Sequence, residues 1–405
     1  MPQDSLPLRD APIVDIGLLG EDPHGVVARL RAETPVIRMD ENRYTAIRAR
    51  DVMALLPDPR LCQLEGRDFV RFVGIPEGAA ARFFTDFLVF SNGETHRRRR
   101  APFARSFAHA AARALRPEIR RVADRIMAEM PRGRAFDFVE AVAGRVPGEM
   151  IASVLGIPQA DVPHFTRLVY TLALAVGPVF PESRFAEIEA AAAELTDYTG
   201  RLLAERRRAP REDLLTRLLE RTEGEDALGP AELVFQVMTV ILGGSDTTRS
   251  GFAMMVALLL QHPEQWAAVK VDPALIPGAV AEALRYQPPV GSLPRFTLEP
   301  IEIGGITVPG GVSLSLSTLS AMRDPELYAD PDRFDIRRSD HPRLHLVFGG
   351  GVHRCLGEML ARLELEEALA ALIAAAPGIR LAGEAPRMLG FGGIRLATPM
   401  AVRVG

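Results

Sequence analysis

The chain has 405 residues, 47% apolar and 25% charged, with a formal net charge of −4. This is the balance of an ordinary folded protein that can enclose a cofactor, and the mild negative charge argues against a general affinity for nucleic acid. Basic residues are nearly all arginine, Lys270 being the single lysine; the two cysteines are Cys62 and Cys355. No basic stretch followed by an apolar run opens the sequence, and runs such as residues 251–260 are too short to cross a bilayer. The expectation is a cytoplasmic protein with free thiols and no membrane anchor.

In chain order, residues 36–49 read as strand. Helical spacing of Ala, Leu and Arg then dominates residues 110–130, 185–208, 230–261 and 277–286. Strand character returns at residues 298–316, a Gly- and His-rich irregular stretch occupies 339–351, a helix follows over 357–375, and a last strand spans 394–404. The fold class is therefore mainly α with a minor β region. Length favours two domains, but a β part built from both chain ends predicts one unit, residues 1–405.

Cys355 ends the glycine-rich stretch and sits at the mouth of a helix. Backbone N–H groups there favour an anion, which predicts a lowered thiol pKa. With no second Cys or His at metal spacing it makes a poor zinc site but a good single axial ligand for haem iron. A buried structural cysteine beside a tight turn fits the loop as well. In the central helix, Gly243-Gly244 is followed by Ser245-Asp246-Thr247. Glycine inside a helix costs roughly 1 kcal/mol against alanine, and a buried acid costs more unless it is paired or wet. Two such costs together suggest room for a flat ligand and a proton path; a simple kink with a local Asp246–Arg249 pair suits the same residues.

The stretch Phe348-Gly349-Gly350-Gly351-Val352-His353-Arg354-Cys355-Leu356-Gly357 resembles the haem-binding signature of the cytochrome P450 family at every fixed position. The resemblance runs from about residue 51 to 404 and implies the cytochrome P450 fold enclosing haem b. It implies Cys355 as the iron ligand, Phe348 over the sulfur, and His353 on a haem propionate. His96 and Arg100, four apart on one helical face, and Arg295 match the family's other propionate residues. Gly243 to Thr247 matches the acid–alcohol pair, so Thr247 would hydrogen-bond dioxygen and Asp246 would gate protons. Glu282 and Arg285 match the buried Glu-x-x-Arg pair, completed by Arg333 in preference to Arg337. Cys62 is structural, and Arg97, Arg98 and Arg99 are expected to face solvent.

The implied activity is a monooxygenase using O2, with electrons from a ferredoxin-type donor and its reductase, because no nucleotide-binding glycine motif is present. The alternatives are a peroxide-using or isomerising P450 and a non-catalytic haem sensor or carrier. By the same resemblance the substrate pocket draws on Phe69, Phe72, Phe83, Phe84, Phe87, Leu172, Val176, Val240, Val290, Leu293 and Phe391. That apolar set predicts a small or medium hydrophobic substrate, and the expected assembly is a monomer.

Overall fold

The computed structural model describes residues 10–107, 109–177, 182–221, 228–342 and 345–405. Phe185–Arg208 is helical as expected, with Ile188, Ala191, Ala192, Leu195, Leu202 and Leu203 forming its buried stripe. Glu358–Ala375 buries Leu360, Leu363, Leu365, Ala368, Leu369 and Leu372 in the same manner. Two expected helices prove to be broken. The 110–130 stretch divides into His109–Ala114 and Arg116–Ala128. Pro117 explains the second start, since proline fits the first turn of a helix but cannot donate within one.

The 230–261 stretch divides into Pro230–Gly243 and Asp246–Gln261. At the joint Ser245 N–H donates to Leu242 O at 3.3 Å, and its hydroxyl donates to Ile241 O at 2.7 Å. Those tighter bonds replace the regular ladder where two glycines leave it weakest. The joint also falls between two separate cores. Leu233 to Leu242 pack with the Phe185–Arg208 and Val162–Ala173 helices, whereas Phe252 to Leu259 pack with Arg116–Ala128 and Glu358–Ala375. The 243–247 segment is thus positioned at the seam of the molecule.

The main sheet orders its strands Val36–Arg38, Arg43–Ala46, Ser313–Leu316, Phe296–Thr297 and Leu61–Cys62. Arg43–Ala46 runs parallel to Ser313–Leu316, so residues far apart in sequence share one sheet. The 298–316 stretch is less regular than expected, because Ile301–Ile303 and Ile306–Val308 turn back as a hairpin through Gly304 and Gly305, both at positive φ. The C-terminal stretch does not join the N-terminal sheet. Ala401–Arg403 pairs with Ala135–Asp137 and Arg380–Leu381, and Leu396–Ala397 pairs with Met388–Leu389. No helix among the described residues is long and apolar enough to cross a membrane.

Glu282 and Arg285 are fully buried and joined by two hydrogen bonds of 2.6 and 2.8 Å. The third member is Arg338, whose Nε lies 3.3 Å from Glu282 Oε2. This corrects the expectation of Arg333. The Arg333 side chain is 69% exposed and contributes only its carbonyl, which accepts from Arg285 Nη2 at 3.1 Å. Arg337 does not take that place; its backbone N–H donates to Asp335 Oδ1 at 3.0 Å. The tight turn at Asp335 places position 338, rather than 333 or 337, over the buried acid.

Candidate active site

The cysteine loop folds back on itself. Leu346–Phe348 makes one helical turn, Gly349 and Gly351 take positive φ of 69° and 63°, and Cys355 N–H donates to Phe348 O at 2.9 Å. At Gly351 a side chain would also come 3.2 Å from Leu56 O, so the turn requires glycine. Arg354 braces the loop by donating to Gly349 O at 2.5 Å and pairing with Glu358 at 2.6 Å. Cys355 is exposed as a residue, although its thiol is desolvated by the protein around it. That combination is what a residue on the wall of an internal opening gives.

Burial pushes the Cys355 thiol pKa up, against the N–H of Gly357, which pulls it down. This reverses the lowered pKa expected from the helix mouth. Desolvation outweighs the terminal amides, so protein alone does not hold this sulfur as a thiolate.

Gly243 shows a second opening. It is exposed although Leu242 and Ser245 beside it are buried, and a Cβ built on it would meet nothing within 4 Å. Thr247 lies partly open and its hydroxyl donates weakly to Gly243 O at 3.5 Å. Asp246 is buried, 2.8 Å from Arg249 Nη2, and desolvation raises its carboxyl pKa.

Four cationic or titratable groups complete the site. The His96 and His353 rings lie 4.0 Å apart. Arg100 donates to Arg354 O, and Arg295 donates to Pro294 O at 2.8 Å. Neither arginine has a carboxylate partner among the described residues, and burial lowers the pKa of both. Burial and Arg100 lower His96 to about 4; burial, His96 and the two arginines lower His353 to about 3. A buried basic set without acids calls for an anionic partner from outside the chain.

Arg98 and Arg99 are not solvent-facing as expected. Arg98 holds Glu232 by bonds of 2.8 and 2.7 Å, and Arg99 bonds Glu232 at 2.8 Å and Asp86 at 2.5 Å. They pin the Gly93–Ser106 helix to the start of Pro230–Gly243. Arg97, 76% exposed and paired with Glu94, does face solvent.

The expected pocket residues separate into two groups. Phe69, Val176, Val240, Val290 and Leu293 are half-buried, and Leu293 comes within 3.5 Å of the position a Cβ would take on Gly349. Phe83, Phe84, Phe87 and Leu172 are buried in the second core, where the three phenylalanines form an edge-to-face cluster. They fill protein instead of lining space. Phe72 is 75% exposed on the outer face, and Phe391 packs against the N-terminal cluster of Leu19, Val27 and Ile37. Phe90, which continues the same phenylalanine-rich run, is half-buried and stacked on Phe69 at 4.1 Å.

The family model for cytochrome P450 matches residues 161–272 and 274–375. Among similar proteins, the plant-inducible cytochrome P450-pinF1 of Rhizobium radiobacter is 40% identical, covering 98% of this chain and 93% of the relative. The cytochrome P450 monooxygenase PikC of Streptomyces venezuelae is 35% identical over 91% of this chain and 88% of its own. The crystal structure of CalO2 superposes with a TM-score of 0.88 at 29% identity, covering 98% and 99% of the two chains. A myxobacterial cytochrome P450 solved with myristic acid is 33% identical, with a TM-score of 0.82 over 96% and 98%.

The chain belongs to the cytochrome P450 family. Its enzyme class is monooxygenase and its cofactor is haem b. The residues present fit that group: an exposed cysteine with a desolvated thiol, a side-chain-free helix face at Gly243, and a basic set lacking acids.

That basic set gives a pH expectation for the haem-free chain. His96 is lowered when folded, so between its ordinary pKa of about 6.5 and about 4 the unfolded state binds more protons. Its stability contribution is complete above that window and falls as pH drops through it. Urea midpoints should therefore fall less steeply on acidification in His96→Gln than in the parent; identical slopes would remove His96 from the basic set.

Proposed function

We propose that this cytochrome P450 inserts one atom of O2 into a small or medium hydrophobic organic substrate, drawing electrons from a separate ferredoxin and reductase. The observation that carries this reading is that Cys355 and Gly243 are both exposed, the first with a desolvated thiol and the second between buried neighbours, with half-buried apolar side chains at Val240, Val290 and Leu293. Cys355 is the sulfur ligand; His96, Arg100, Arg295 and His353 hold the two propionates, and Phe348 shields the sulfur. Haem when bound supplies the site of oxygen activation, to which a thiolate ligand contributes electron density. All these residues act within a single unit spanning the chain.

Asp246 and Thr247 deliver protons. Their side chains are not joined in this structure: Asp246 turns to Arg249 and Thr247 to Gly243 O. Delivery therefore needs Asp246 to swing toward Thr247 or a water to bridge them. Thr247→Ala should keep haem and substrate binding while diverting most electrons to peroxide. Unchanged product per electron would defeat the assignment. The acid–alcohol pair favours this reading over a peroxide-using or isomerising enzyme, and over a sensor or carrier, none of which needs a proton relay.

A hydrophobic substrate accords with the fatty acid bound by the myxobacterial relative. Arg71, 81% exposed and paired with Asp68, is not placed as a buried carboxylate anchor. Compounds that displace water from the iron should shift the spin-state spectrum, and apolar ones should do so most tightly. Tight responses confined to polyanions would overturn the substrate class.

For the donor, Arg97 and the exposed Val352 mark the outer side of the cysteine loop and the helix beside it. Reduction by an acidic ferredoxin should slow as salt rises, and Arg97→Glu should slow it further at low salt. Insensitivity to both would count against docking there.

A further inference from the structure

Arg249 is paired with Asp246 on its own helix, and two other elements hold it. Tyr170, on the Val162–Ala173 helix, lays its ring 4.4 Å from the guanidinium carbon. The Tyr170 hydroxyl donates to Gly144 O at 2.6 Å. Gly144 closes a π-helical turn over Val139–Ala143, a rare distortion that is frequent at functional sites. A Cβ on Gly144 would lie 3.2 Å from Arg249 Cδ and 3.6 Å from the Tyr170 oxygen. A side chain at Gly144 would therefore crowd Arg249 where it passes beside the ring.

The contact with Asp246 is close but not aligned. Arg249 Nη2 lies 2.8 Å from Asp246 Oδ1, yet Oδ1 and Arg249 Nε are both buried without an aligned hydrogen bond among the described residues. Tyr170 and Gly144 fix the guanidinium by its ring contact and its stem, leaving its charge to act on a carboxylate that no directed bond restrains.

We propose that Arg249, clamped between the Tyr170 ring and the bare face of Gly144, is a positioning residue that keeps Asp246 ionised while leaving its side chain free to turn. This deepens the proton-delivery role given to Asp246 above and rests on it for its catalytic meaning. In each cycle the carboxylate accepts one proton from solvent and gives one up toward Thr247, ending as the carboxylate it began as. Desolvation opposes that starting state and raises the Asp246 pKa, and Arg249 pulls it back down toward the ionised form. The other titratable groups around the clamp are Tyr170 itself, Glu364 from the Glu358–Ala375 helix and Glu140 from the π-helical turn. Burial holds the Glu364 carboxyl well above the usual range, and neither acid supplies a positive charge, so Arg249 is the group that favours the ionised form of Asp246.

The test is an infrared pH titration of the haem-loaded protein, following the carboxylic acid band that Asp246→Asn removes. Arg249→Leu should move the midpoint of that band up by about 1–3 pH units. Arg249→Lys should restore most of the shift. Tyr170→Leu should give a smaller upward shift, and Tyr170→Phe, which keeps the ring, should stay near the parent. An unmoved midpoint in Arg249→Leu overturns the proposal. If Arg249→Leu does not fold, Tyr170→Leu decides, since it retains both charges: an unmoved midpoint there overturns the clamp. The result is independent of turnover. Asp246→Asn with full product per electron would instead defeat the proton-delivery role, whatever the band shows.

Discussion

Arg285→Leu should cost about 3–5 kcal/mol of folding stability, because it leaves Glu282 as a buried and under-compensated charge. A domain typically has about 5–15 kcal/mol in total, so little folded protein should accumulate. The side chains of both partners have no solvent exposure, and Arg285 also donates to Met322 O at 2.9 Å, Pro331 O at 2.7 Å and Arg333 O. Its loss thus unties the 322–333 segment as well as the ion pair. Arg338→Leu should be milder, since Arg338 reaches Glu282 at 3.3 Å but Arg285 keeps the acid paired. Arg333→Leu should be close to neutral, its side chain being mostly exposed. Urea denaturation of the three variants checks the order. A larger loss at Arg333 than at Arg338 would show that the network is wrongly drawn.

That order also shows where sequence stops informing. The Glu282–Arg285 pair is legible because both ends lie three apart on one helix, and Pro288-Pro289 marks the helix end. The third arginine lies in an irregular segment, where spacing carries no periodicity and a turn at Asp335 decides which side chain points inward. Similar reasoning explains the phenylalanines. Phe83, Phe84 and Phe87 lie one, three and four apart, a pattern that marks an inward face without saying whether protein or open space lies behind it. The packing against Phe235 settles that question for Phe83. The run of four arginines misled for a related reason: Arg98 and Arg99 find Glu232, more than a hundred residues away, a contact no local pattern reveals. The break after Gly243 is half-readable: the glycines allow a kink with a local Asp246–Arg249 pair, and both are present, but the apolar spacing on either side still reads as one helix over 230–261.

The thiol of Cys355 carries the second large expectation. Burial raises its pKa, so the free protein holds it mainly as the neutral thiol, and metal coordination has to release that proton. Haem uptake by the haem-free chain should therefore release a proton and become weaker as pH falls. Cys355→His offers a nitrogen in place of the sulfur and should bind haem with a spectrum lacking thiolate character. Cys355→Ala should lose the protein's axial ligand altogether. Cys62, half-buried with its thiol 3.6 Å from Phe296 O, lies on a sheet strand, and its replacement is expected to leave haem uptake unchanged.

The most direct measurement is the absorption spectrum of the reduced protein under carbon monoxide. The parent and Cys62→Ala should both show the strongly red-shifted Soret band of thiolate ligation, and Cys355→Ala and Cys355→His should both lack it. Retention of the band without Cys355, or its loss in a folded Cys62→Ala, would contradict the assignment of Cys355 as the iron ligand.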